Sequence, residues 1–151
     1  MTETVEQWRR IVAGSLDWKE AHAGFDRAVD GLPPELRGRR PDGYPHSVWE
    51  LVEHIRLAQV DLLDFMVDPS YTAPTWPDDY WPPTPAPPSE AAWEASLTAI
   101  RTARARLKQL AMRPGLDLTA KVPNGDGQTY LRTILVAVDH AAYHTGQIVD
   151  V

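Results

Sequence analysis

Residues 47–66, SVWELVEHIRLAQVDLLDFM, decide the fold of this chain. They open with Ser47 and, three residues later, Glu50, which is the spacing of a capping box at a helix N-terminus. Apolar side chains then recur at helical spacing until Pro69 stops the pattern: Val48, Leu51, Val52, Ile55, Leu62 and Met66. The stretch therefore predicts a helix with one buried face.

Three further segments have helical periodicity. The first runs from about residue 4 to residue 30, with apolar residues in two series seven apart, as on the a/d seam of a bundle helix. Another starts at Ser89 and ends before Pro114. The last starts near Thr129, runs to the end of the chain, and is apolar almost all round. We expect it to be the most buried helix or to lie at a subunit contact. The pattern predicts an all-α four-helix bundle.

The connection before the third of these helices is unusual. Residues 68–88, DPSYTAPTWPDDYWPPTPAPP, hold eight of the fourteen prolines together with four aromatic residues. A flexible linker would be rich in glycine and serine instead. We therefore expect an ordered crossover, packed along the bundle and long enough to join two parallel helices. Residues 118–129, LTAKVPNGDGQT, predict a turn flanked by a short extended pair.

Length, net charge and composition exclude several classes of function for this chain. With 151 residues the chain has room for one domain, placed at residues 1–151. A net charge of −6 argues against a nucleic-acid partner, and the basic cluster Arg37, Arg39 and Arg40 reads as a solvated turn. The absence of cysteine excludes disulfides, thiolate ligands and a cysteine nucleophile. No signal peptide and no apolar run of about 18 residues is present, so we expect a cytoplasmic protein without a membrane partner.

Two of the five histidines share a helical face. His140 and His144 are four residues apart, which places their Cβ atoms about 5–6 Å from each other, a spacing that suits chelation of one ion. His54 flanks the apolar stripe of residues 47–66 and could add a third nitrogen. Three such ligands leave open positions, as catalytic metal sites do. On the residues alone, a metal site and a set of solvated or hydrogen-bonded histidines are equally open.

The remaining histidines are weaker candidates. His22 lies on the seam of the first helix, where a histidine is more often a core residue than a ligand. If it has a further role, we expect contact with a metal ligand or with substrate. His46, just before the Ser47 cap, is expected to be a loop residue. The chain lacks both the H-E-x-x-H motif of zinc proteases and the Glu-x-x-His motif of di-iron bundles.

The stretches PHSVWELVEHIRLAQVDLLDF (45–65) and DHAAYHTGQIV (139–149) resemble the DinB-like (DinB/YfiT) bundles. Residues 22–47 and the crossover segment WPDDYWPP (76–83) are also similar to that family, so the resemblance covers nearly the whole chain. It implies an up-down-down-up bundle, commonly dimeric. One feature departs from the family pattern: members usually continue past the Gly-Gln pair with a basic residue and a short segment, whereas this chain ends at Val151.

The resemblance also implies one divalent ion (zinc, nickel or iron) held by His54, His140 and His144. Some relatives transfer low-molecular-weight thiols such as bacillithiol, mycothiol or glutathione, or isomerise maleylpyruvate with a thiol cofactor. We expect Gln147, one turn beyond His144, to orient a ligand or a metal-bound water.

Asp61, two turns beyond His54, is a second candidate, expected to support a metal ligand or to act as a base. For both Gln147 and Asp61, the alternative is a solvated polar residue.

Three functions follow from this reading. The first is a metal-dependent thiol S-transferase acting on a small electrophile, with the thiol supplied as a cosubstrate because the chain has no cysteine. The second is metal-assisted hydrolysis by an activated water. The third is a dimeric bundle that binds a metal or small molecule without catalysis.

Overall fold

A computed structural model describes residues 3–151. Five α-helices follow one another: α1 (Glu3–Ser15), α2 (Phe25–Val29), α3 (Val48–Val67), α4 (Glu90–Met112) and α5 (Tyr130–Asp150). Two single 3₁₀ turns, Pro34–Leu36 and Asp78–Tyr80, lie in the connections. Within the described range there is no β-strand, so the all-α prediction is confirmed. No helix in that range is long and apolar enough to cross a membrane.

The long helices run up, down, down and up. Along α3 and α4, Glu53 meets Ser96 and Gln59 meets the Ile100 carbonyl, so these two helices are parallel. The N-terminal half of α3 packs with the C-terminal half of α5, because Val48 and Ile148 belong to one core cluster. These two helices are therefore antiparallel. The predicted up-down-down-up order, with α3 parallel to α4, is confirmed. The predicted boundaries of α3, α4 and α5 are confirmed as well.

α1 runs antiparallel to α4 and is tied to its C-terminal end by Arg9. This side chain is only 3% exposed. Its Nη1 donates to the carbonyls of Ala111 (2.7 Å) and Arg113 (3.2 Å), and its Nη2 donates to that of Leu116. A cation at a helix C-terminus meets the negative end of the helix dipole and the carbonyls that lack partners within the helix. Arg9 thus stabilises both the end of α4 and the packing of α1.

The first helix is shorter than predicted. The pattern predicts one helix across residues 4–30, but α1 ends at Ser15 and residues 16–24 are irregular. Ser15 Oγ donates to the Val12 carbonyl (2.8 Å), and the Asp17 amide turns back to Gly14 (3.1 Å). Glycine and serine are poor helix formers, and serine competes for backbone groups in this way.

Because α1 ends at Ser15, only some of the residues at the predicted a/d positions of the first helix are buried. Phe25 and Val29 are buried, as the seven-residue spacing predicts. Ile11 and Trp18, however, are about half exposed, and His22 is exposed. The interpretation of His22 as a core residue is therefore wrong, because no helix carries it onto the seam.

The expectation that the last helix is the most buried is also wrong. Twelve of the twenty residues of α3 are buried, against six of the twenty-one of α5. α3 is packed by α4 on one side and α5 on the other, whereas α5 keeps Leu135, Tyr143 and Val149 exposed. Leu135 and Val149 are fourteen residues apart and so lie on nearly the same face of the helix. The alternative reading, that this face is a subunit contact, stays a prediction, as does a homodimer.

The crossover is ordered, as predicted, and residues 118–129 form the predicted turn, flanked by a single antiparallel bridge between Lys121 and Thr129. In the crossover, the hydroxyls of Tyr71 and Tyr80 donate to the two carboxylate oxygens of Asp61 on α3 (2.7 and 2.8 Å). In the turn of residues 118–129, Asn124 Nδ2 donates to the Phe65 and Asp68 carbonyls (2.9 and 2.8 Å). The two hydrogen bonds from Asn124 satisfy carbonyls at the C-terminal end of α3.

The interpretation of the basic cluster as a solvated turn is wrong for Arg37, whereas Arg39 and Arg40 are exposed as expected. Arg37 is buried, with its guanidinium 4.5 Å from the centre of the Trp93 ring and 2.5 Å from Glu90. Arg40 makes a bidentate ion pair with Glu50, the residue that completes the capping box of α3. Both arginines therefore fix the entry into the bundle.

Arg9→Ala should lower the free energy of unfolding by about 3 kcal/mol, because it leaves buried carbonyls at the end of α4 without a donor. The matched control is Arg10→Ala, which removes an exposed pair with Glu6 and should cost at most about 0.5 kcal/mol. Urea denaturation followed by circular dichroism measures both. Equal losses would show that Arg9 does not stabilise the α1–α4 contact.

Candidate metal centre

Three histidines meet between α3 and α5. One ring nitrogen from each of His54, His140 and His144 lies within 4.8 Å of the others, a grouping that could hold a metal ion. His54 Nε2 and His140 Nε2 are 3.0 Å apart. The spacing of four residues places His140 and His144 on one face of α5, and the antiparallel packing of α3 brings His54 opposite them. The structure thus brings together the three residues that the sequence indicates.

Burial keeps these imidazoles neutral. His54 is 3% exposed and His144 is 9% exposed. Burial, with the neighbouring rings of His144 and His54 as smaller causes, lowers the pKa of His140 to about 4. Burial also lowers the pKa of His54 and that of His144. A neutral imidazole has one free lone pair, which is the form that binds metal ions.

Two hydrogen bonds set which nitrogen is free. His54 Nδ1 lies 2.8 Å from the Tyr80 carbonyl, and His144 Nδ1 lies 2.6 Å from Gln147 Oε1. Both oxygens accept only, so each Nδ1 carries the proton and each Nε2 carries a lone pair. His54 Nε2 therefore presents a lone pair to His140 Nε2 at 3.0 Å. Two bare lone pairs would repel at that distance, so the pair needs either a proton on His140 or a cation between the rings.

Gln147 and Asp61 have different relations to the cluster. Gln147 Oε1 accepts a hydrogen bond from His144 Nδ1, so Gln147 lies beside the cluster. That it orients a ligand or a metal-bound water stays a prediction. Asp61 is bonded to Tyr71 and Tyr80 instead. Burial and the Asp61 carboxylate raise the pKa of both tyrosine hydroxyls above the usual range, so they remain donors. Asp61 reaches the cluster only through Tyr80, whose carbonyl holds His54.

His22 lies apart from the three histidines. Its Nδ1 is 2.9 Å from the Ala23 carbonyl. Its side chain borders a cavity of about 90 Å³ whose walls include Trp18, Gln59 and Thr145 but no member of the cluster. The structure does not bring His22 to the ligands that the sequence suggested it could contact.

Sequence reasoning missed two neighbours of the cluster, Trp81 and His46. The Trp81 ring stacks on His54 with centroids 4.0 Å apart and planes 2° apart. His46 stacks on Trp81 at 4.1 Å and 13°. No spacing rule links residues 46, 54 and 81. The available signal was the concentration of aromatic residues in the crossover.

The comparison with known protein families agrees with this architecture. The model of the DinB superfamily matches residues 17–148 of the chain. No curated protein and no solved structure matches it.

In metal-free protein, the burial of His140 predicts a pH dependence of stability. The unfolded ring takes up a proton near its ordinary pKa of about 6.5, whereas the folded ring does so only near pH 4. Stability from this group is therefore complete above pH 6.5 and is lost as the pH falls toward 4.

The comparison is wild type against His140→Asn, by urea unfolding in chelator at pH 7 and pH 5. Wild type should lose more free energy of unfolding than the variant. Other acid-sensitive groups cancel in the difference. Parallel curves for the two proteins would contradict a partly buried, neutral His140.

Proposed function

The chain belongs to the DinB superfamily, and from this premise we propose that His54, His140 and His144 bind one divalent metal ion that activates a low-molecular-weight thiol for transfer. The observation that carries the proposal is the His54–His140 contact. Two ring nitrogens face each other at 3.0 Å while the Tyr80 carbonyl holds the proton of His54 on the opposite nitrogen. A divalent cation between them would remove the repulsion of their lone pairs.

The donor set fits such an ion. Three imidazoles suit zinc, nickel and iron, and three protein ligands leave positions open for a water or a substrate. Because the ligands are neutral, a bound ion would retain its full charge and would lower the pKa of a thiol or water in an open position. Gln147 and the Tyr80 carbonyl would hold the rings of His144 and His54 in the ligating tautomer.

The thiol must come from outside, because the chain contains no cysteine. In the proposed reaction its sulfur forms a bond to a small electrophile, the leaving group departs with the electron pair, and the thiol proton goes to solvent. Trp81 covers the face of His54 and keeps water from that side of the site. The proposed partners are accordingly small molecules, the thiol and its electrophile.

Metal content tests the site. Purified wild type, loaded with zinc or nickel and desalted, should retain about one ion per chain. A His140→Ala/His144→Ala variant should retain almost none, because one imidazole cannot hold the ion alone. The control is His22→Ala, which removes a histidine outside the cluster and should leave metal content unchanged. Equal metal content in all three proteins, measured by plasma mass spectrometry, would show that the cluster is not the site.

Activity is tested separately. Loaded protein is incubated with a chloro-aromatic acceptor and with bacillithiol, mycothiol or glutathione in turn. We expect a thioether and chloride in wild type, and a loss of about 100-fold or more in the double variant, because the thiol is no longer activated. Liquid chromatography with mass spectrometry detects the conjugate. A hydroxylated product without thiol would favour metal-assisted hydrolysis, and bound metal without any product would favour a binding protein.

A further inference from the structure

A stack of three rings, His46, Trp81 and His54, lies against the candidate metal centre. Trp81 is the middle ring, nearly parallel to both imidazoles at 4.0 and 4.1 Å. The indole also lies perpendicular to the His144 ring, with centroids 6.5 Å apart. The stack therefore joins one histidine of the cluster to a histidine outside it through the indole.

The crossover holds His54 in two ways at adjacent residues. The Tyr80 carbonyl accepts from His54 Nδ1, and the Trp81 ring covers the face of the same imidazole. Tyr80 is itself fixed to α3 by its hydroxyl, which donates to Asp61. The residue whose carbonyl accepts from His54 is thus anchored to the helix that carries His54.

The outer ring has an anchor of its own. His46 precedes Ser47, the capping residue of α3. The Ser47 hydroxyl donates to the Pro85 carbonyl at 2.5 Å. Since Pro85 lies four residues beyond Trp81, the crossover is fixed to the helix start close to the stack, and His46 closes the second face of the indole.

One hydrogen bond at Nδ1 does not set the plane of an imidazole, because the ring can still turn about that bond. A parallel aromatic surface on its face removes this freedom. We propose that Trp81, supported by His46, is a positioning residue that fixes the ring plane of His54 and keeps its Nε2 directed at His140. The contribution to metal binding rests on the proposed function, but the effect on the ring does not.

The effect of Trp81 on the His54 ring does not need a metal. It is tested on chelator-treated protein by NMR of the histidine ring nitrogens and carbon-bound protons. In wild type, His54 should show a single Nδ1–H tautomer, with ring protons shifted upfield by the indole. Trp81→Ala removes the ring-current shift in any case, so the tautomer is the informative signal. Once the imidazole can turn away from the Tyr80 carbonyl, Nδ1–H and Nε2–H forms should both appear in Trp81→Ala, whereas Trp81→Phe should keep the Nδ1–H form alone. Trp76→Ala is the matched control, since Trp76 lies in the same crossover but is 71% exposed. A single Nδ1–H tautomer of His54 in Trp81→Ala overturns the proposal.

The contribution of Trp81 and His46 to metal binding is tested by measuring nickel and zinc affinity with titration calorimetry. Removing a group that orients a metal ligand typically costs 10–100-fold in affinity, so Trp81→Ala should bind about tenfold or more weakly. Trp81→Phe and Trp76→Ala should bind nearly as wild type does. His46→Phe keeps a flat ring on the indole and should bind normally, whereas His46→Ala should weaken binding. If His46→Phe binds metal as weakly as His46→Ala does, ring stacking does not explain the loss of affinity, and the proposed role of His46 is overturned.

Trp81 also supplies an optical signal. Cobalt or nickel bound to His54 should quench the indole stacked on it, and the quenching should disappear in Trp81→Phe but not in Trp76→Phe. If wild type binds no metal at all, the proposed function fails, and the NMR result alone decides the positioning role. If wild type binds metal and Trp81→Ala binds it equally well, positioning fails while the metal site stands.

Discussion

The parallel packing of α3 and α4 is the constraint on which the rest of the structure depends. A helix of twenty residues is about 30 Å long, so a chain that leaves α3 and enters a parallel α4 must return along the whole bundle. The chain between Val67 and Glu90 makes this return. It passes over α3, and there it places the Tyr80 carbonyl and the Trp81 ring on His54.

The same return path explains why α3 is the most buried helix. α4 and α5 pack on its two sides, and the crossover lies on it through Asp61, Tyr71 and Tyr80. Burial of His54 follows, and with it the low pKa that keeps the ring neutral. Stability and chemistry are linked here, because the contacts that hold the crossover in place also select the tautomer of a candidate ligand.

Local rules predicted much of this arrangement. Capping residues and apolar spacing located α3, α4 and α5, and a separation of four residues placed His140 and His144 on one face. They failed in the first thirty residues, where seven-residue spacing continues through an irregular segment. Phe25 and Val29 are buried there by contacts between helices, which leave the same pattern in sequence as one continuous helix.

The sequence by itself determined the boundaries of α3, α4 and α5, the parallel pair implied by a long proline-rich connection, and the identity of the three clustered histidines. Periodicity and chain length encode these features locally. Only the tertiary structure decided that His54 lies 3.0 Å from His140, that Asp61 acts through Tyr80, and that Trp81 lies between His46 and His54. These contacts join residues 19 to 86 positions apart, and side chains at such separations meet only once the helices have packed.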